Sequence, residues 1–96
     1  MRVLGIENVR RVYEELVQAA ADGVLECGLG PWTSQVEDGW AALLATLHPV
    51  FGQDKYPTLA LKAARIVHGG ATTQHLMDGN KRLATAGLEH QIAING

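Results

Sequence analysis

At 96 residues, 47% hydrophobic and 19% charged, the chain has the size of one domain with a modest core and is too apolar to be an intrinsically disordered segment. Ten acidic residues against eight lysines and arginines leave a formal charge of -2, so there is no surplus of positive charge to neutralise a phosphate backbone and nucleic acid is not an expected partner. The single cysteine, Cys27, excludes an internal disulfide and a multi-cysteine zinc site, and without a signal-like apolar run in MRVLGIENVRR or a stretch of about 20 apolar residues the expectation is a cytoplasmic protein with no membrane association.

Aromatic residues make up only 5%, while alanine, leucine and valine dominate, a mix that suits close helix packing. Between Glu7 and Ala21 the apolar residues Val9, Val12, Tyr13, Leu16, Val17 and Ala20 recur at helical spacing, with Glu7 near the positive end and Gly23 placed to terminate. GVLECGLGPW then reads as an irregular connector with a brief extended piece at Val24 and Leu25. Its Gly28-Leu29-Gly30 is too short for a dinucleotide fingerprint.

Ser34 and Glu37 form a capping-box pattern ahead of Val36, Trp40, Leu43, Leu44 and Leu47. That predicts a second helix to about His48, stopped by Pro49. PVFGQDKYP is a loop, and Pro57 is placed to open a third helix through Leu59, Ala63, Ile66 and Val67. Gly69-Gly70, each costing about 1 kcal/mol relative to alanine inside a helix, and the β-branched Thr72-Thr73 predict that this helix frays or bends. After the polar break Asp78-Gly79-Asn80, a stripe of Leu83, Ala84, Gly87, Leu88 and Ile92 predicts a last helix with Asn95-Gly96 as its C-cap. The expected fold is all-α, a compact bundle of four main helices.

The most informative stretch is Gln74-His75-Leu76-Met77-Asp78-Gly79-Asn80-Lys81-Arg82. It sets a carboxylate, a glycine-opened turn and two cations at a helix start, where backbone N–H groups and the dipole attract anions. Lys81 or Arg82 would add charge-assisted bonds to phosphate, and Asp78 would hold a magnesium ion bridging the phosphates. By itself the pattern also fits an ordinary cap and turn.

DGNKR, with Leu76 two residues before the aspartate and Ala84 two after the arginine, resembles the Doc branch of the Fic/Doc (death-on-curing) toxin family, whose signature reads H-x-F-x-D-(G/A)-N-K-R-x-A. VLGIENVRRVYEELV resembles the family's opening helix, and the order of the later segments is similar. The resemblance covers nearly the whole chain, although the family domain usually continues past this Asn-Gly into at least one more helix. It implies a domain that holds ATP and magnesium and transfers a phosphoryl or nucleotidyl group to a hydroxyl of a protein target in the bacterial cell, and that pairs with an antitoxin. Asp78 would be the metal-binding acid, Gly79 and Asn80 part of the anion cradle, and Lys81 with Arg82 the phosphate grip.

The departure is Gln74, which stands where the family has its catalytic histidine. Glutamine orients groups by hydrogen bonding but does not accept a proton at neutral pH, and loss of a positioned base removes about 10²- to 10⁴-fold in rate. His75, one residue along, turns to a different face. His68 reads as a helix-surface histidine, and His48 and His90 as surface or capping residues, so the four histidines have no ligand spacing. Trp40 fits the core stripe of its helix, while Trp32 reads as a packed loop anchor with an exposed interface residue as the alternative. Two functions follow: an impaired Doc-like toxin of phage or mobile-element type that acts by binding a protein, or an ATP-dependent modifier, which includes a toxin disarmed by substitution at Gln74. A plain helical scaffold is the third reading.

Overall fold

The computed structural model describes residues 1–23, 29–49, 51–72 and 79–96. The described residues form four helices: α1 (Ile6–Ala21), α2 (Ser34–Ala45), α3 (Leu59–Thr72) and α4 (Asn80–Ala93). The all-α expectation holds, with no extended strand among the described residues. Each helix packs on two others: α1 on α2 and α4, α2 on α1 and α3, and α3 most extensively on α4. The helices therefore close a ring around one core built from Leu4, Val9, Val36, Trp40, Leu47, Ile66, Leu83 and neighbours.

Helix α1 is N-capped by Gly5, whose N–H donates to Asn8 Oδ1 at 2.9 Å. It ends at Ala21 with Asp22 as C-cap, and Gly23, expected to terminate it, follows directly with a left-handed φ of 78°. Its buried stripe is narrower than predicted, because Val9 and Val12 are buried while Val17 is exposed.

At α2 the cap is Thr33 and not Ser34: Thr33 Oγ1 accepts the Val36 N–H at 3.2 Å. Glu37, freed from the expected capping box, pairs instead with Arg10 of α1 at 2.9 Å. The helix also ends at Ala45, short of His48. The chain winds on by tighter i to i−3 bonds, Thr46 to Leu43, Leu47 to Leu44 and His48 to Ala45, and this tightening swings Leu47 fully into the core.

Helix α3 starts at Leu59, two residues after Pro57. Thr58 supplies the start: its hydroxyl accepts the Leu61 N–H and its carbonyl the Lys62 N–H. Gly69-Gly70 do not interrupt α3, which runs to Thr72, while Thr73, the other residue expected to loosen it, lies outside the described residues. A Cβ at Gly69 would lie 2.6 Å from Leu43 Cδ1, and one at Gly70 would lie 2.7 Å from Trp40 Cη2 and 2.9 Å from the Ala84 Cβ. The two glycines are thus the notch into which α2 presses Trp40 and Leu43, and burial of that indole outweighs their backbone cost.

The C-cap of α4 is Ile94, not Asn95. Asn95 turns back to the N-terminal segment, its Oδ1 accepting the Arg2 N–H and its amide nitrogen donating to the Arg2 and Gln91 carbonyls. One turn earlier the fully buried Gln91 accepts the Leu4 N–H at 2.9 Å and donates to the Arg2 carbonyl at 2.8 Å. Ile92, expected on the core stripe, is exposed. The expected extended piece at Val24 and Leu25 lies outside the described residues, as does Cys27.

Candidate functional site

Gly79, Asn80, Lys81 and Arg82 form the head of α4. Gly79 is its N-cap in the left-handed region, φ 86° and ψ 11°, a conformation that glycine adopts without the Cβ penalty. Its carbonyl accepts the Leu83 N–H at 2.9 Å and so starts the helical ladder. Backbone N–H groups of a helix's first turn point along the axis away from the helix, and the dipole is positive there. Lys81 is exposed, Arg82 is half-buried, and Asn80 and Arg82 are both engaged with the rest of the chain.

Two elements hold this turn in place. The pairing of α3 with α4 fixes the axis of α4, through Ile66, Leu83 and Ala84 in the core. The connector between α1 and α2 then covers the turn, with Leu29 so close to Gly79 that a Cβ there would collide with its side chain. The connector is itself pinned. Tyr13 donates its hydroxyl hydrogen to the Gly30 carbonyl at 2.7 Å, and Trp32 packs against Tyr13 in a tilted contact, with ring centroids 5.2 Å apart. Arg10 lies over the Trp32 ring. Trp32 is a packed anchor, and its indole Nε1 is buried without a hydrogen-bond partner among the described residues.

Of the residues singled out in the sequence, the helix-opening turn Gly79–Arg82 is thus one local unit. Asp78 and Gln74, together with His75 and Leu76, lie outside the described residues. His68 is exposed on α3 with its carbonyl taken by the Thr72 hydroxyl, His48 is exposed after α2, and His90 is half-buried on α4. No group of three metal-capable side chains occurs among the described residues.

Two features escape a sequence reading. Leu29 sits in a glycine-rich run whose pattern says nothing about what it covers. Lys62 is buried at 3% exposure and bridges α3 to the preceding loop, its Nζ donating to the Leu47 carbonyl at 2.7 Å and to Asp54 Oδ2 at 2.9 Å. A signal for it existed, since Lys62 falls four residues before Ile66 on the apolar face of α3. The hydrogen bond from Lys62 holds the Asp54 carboxyl below its usual range, with further help from the Tyr56 N–H.

Beyond Asp54 the loop presents Phe51, fully exposed and in a left-handed conformation with φ 52°. The loop is therefore tied down at Asp54 and strained at its tip.

No protein-family model matches the chain, and neither a curated protein nor a solved structure matches it. Among the described residues the chain is all-α, with four helices.

Proposed function

We propose that this chain is a Doc-like toxin domain of phage or mobile-element type whose transfer chemistry is disabled, and that it arrests bacterial growth by holding a host protein or is itself held by an antitoxin. The observation that supports this reading is the head of α4. Gly79 in its left-handed conformation opens the helix and Lys81 stands exposed on its first turn. That is the arrangement a DGNKR motif needs for a phosphate cradle. ATP would sit against this turn with its phosphates near Lys81 and Arg82, and Asp78 would carry magnesium. Against that cradle stands Gln74, which cannot take the proton from a target hydroxyl.

The second reading is an active ATP-dependent modifier, or a toxin disarmed at Gln74. Retention of Asp78, Lys81 and Arg82 favours it, because a pure binding module has little use for phosphate ligands.

A transfer assay in bacterial lysate, with ATP labelled separately at the α and γ phosphates, separates the two. The expected result is that the chain labels no protein, that Gln74→His labels one, and that Asp78→Ala in the Gln74→His background abolishes the label. Labelling by the unaltered chain that disappears in Asp78→Ala would establish the enzyme instead, and the labelled phosphate would tell phosphoryl from nucleotidyl transfer. Silence of every variant would remove the nucleotide cradle from the proposal.

A further inference from the structure

Helices α1 and α4 leave between them an open groove of about 390 Å³. Val12 and Leu16 of α1 and Ala86 and Ala93 of α4 give it an apolar floor, Glu15 and Glu89 stand on its two sides, and His90 completes the lining. Val17 and Ile92, on the same two helices, are apolar residues left exposed. Neither Glu15 nor Glu89 has an ion-pair partner among the described residues. Arg11, one turn before Glu15 on α1, and Arg82, one turn before Ala86 on α4, are the cations nearest in sequence.

We infer that this groove is a docking site for a short amphipathic helix of another protein, with apolar residues along one face and lysine or arginine on its flanks. The groove runs along two helices, and Ala86 and Ala93 lie two turns apart, about 10 Å at 1.5 Å per residue. A floor of alanines lets a third helix approach to the 8–10 Å of ordinary helix packing, and Leu16 offers a ridge for its side chains. An extended strand would find no sheet edge here to pair with. The two exposed carboxylates select the charge of the occupant: a cationic flank gains an ion pair on each side, and an acidic flank meets repulsion. The inference deepens the binding half of the proposed function and rests on it only in requiring a protein partner, since it makes no use of the α4 head, Asp78 or Gln74.

The test uses the full chain and two synthetic helical peptides, one with leucines on one face and lysine flanks, the other identical except for glutamate in place of lysine. Binding is read by fluorescence anisotropy at low salt, with amide chemical shifts to locate it. The lysine peptide is expected to bind and to shift resonances of α1 and α4. Glu15→Lys with Glu89→Lys should weaken it by about tenfold and turn the preference toward the glutamate peptide, and the effect should shrink as salt rises. Glu14→Lys, an exposed carboxylate off the groove, should leave binding unchanged, and circular dichroism should show the same helix content in every variant.

Equal binding of both peptides, indifference to the double charge reversal, or shifts confined to another face would overturn the proposal. So would a concentration-dependent dimer abolished by Leu16→Asp, which would make a second copy of the chain the occupant. Loss of the transfer chemistry tested above would leave these outcomes untouched, so the two readings fail separately.

Discussion

Gly70 shows how far a single residue departs from its helix propensity in this fold. An alanine there would gain about 1 kcal/mol of propensity. Its methyl, however, would meet Trp40 at 2.7 Å and Ala84 at 2.9 Å, and neither neighbour is the free end of a flexible side chain. Overpacking of this kind costs about 1–3 kcal/mol. Gly70→Ala is therefore expected to lower the urea midpoint with an unchanged slope, and a rise in the midpoint would show that Trp40 can move aside.

Asp54 carries the pH dependence visible at this scale. Its carboxyl is depressed by Lys62, so the stability it adds is present above the unfolded-state value, about 4, and is lost as pH falls through the lower folded value. The wild-type urea midpoint should thus fall more steeply than that of Asp54→Asn between about pH 5 and pH 2, and parallel curves would remove the pair from the acid response.

At the scale of elements, the N-terminal segment before α1 is held by side chains and not by a sheet. Gln91 in the last turn of α4 and Asn95 just past its C-cap satisfy the N–H and carbonyl of Arg2 and the N–H of Leu4. Gln91→Leu keeps most of the volume but leaves the Leu4 N–H without its acceptor, and a buried orphan group costs about 1–3 kcal/mol. The expected signature is loss of hydrogen-exchange protection at the Leu4 amide and a melting temperature lower by several degrees, roughly 4–8 °C per kcal/mol in a domain of this size. If the Leu4 amide stayed protected, the segment would be held by Leu4 packing alone. The ends of α2 and α3 follow the same logic, because the two threonine caps, Thr33 and Thr58, set the helix starts where the written motifs suggested Ser34 and Pro57.

For the molecule as a whole, the ring of four helices places the α4 head, the strained Phe51 loop and the α1–α4 groove as separate features of one small protein. If growth arrest depends on binding, as proposed, Asp78→Ala expressed in bacteria should arrest growth as strongly as the unaltered chain, whereas Leu16→Asp in the groove should relieve it. Full relief by Asp78→Ala, with loss of ATP binding, would move the function back to the α4 head.

The four helices found among the described residues, their order and, apart from Val17 and Ile92, the apolar stripes of α1, α2 and α4 were legible in the amino-acid sequence, because spacing at 3.6 residues records which face each helix must bury. So was the start of α4 at Gly79, since a glycine among polar residues breaks the chain's regular course and opens the next helix. The course of α3 through two glycines was not legible, because propensity is a property of one helix and the compensation comes from Trp40 on another. Ser34 and Thr33 are both competent caps, and in the folded chain it is Thr33 that accepts the Val36 N–H. The position of Lys62 on the apolar face of α3 was legible, but its partner, the Leu47 carbonyl 15 residues away, was not, and neither was the turning of Asn95 toward Arg2, 93 residues away. The sequence determined the elements and the local motif; the tertiary structure decided which polar groups hold them together, because those partners become neighbours only when the ring of helices closes.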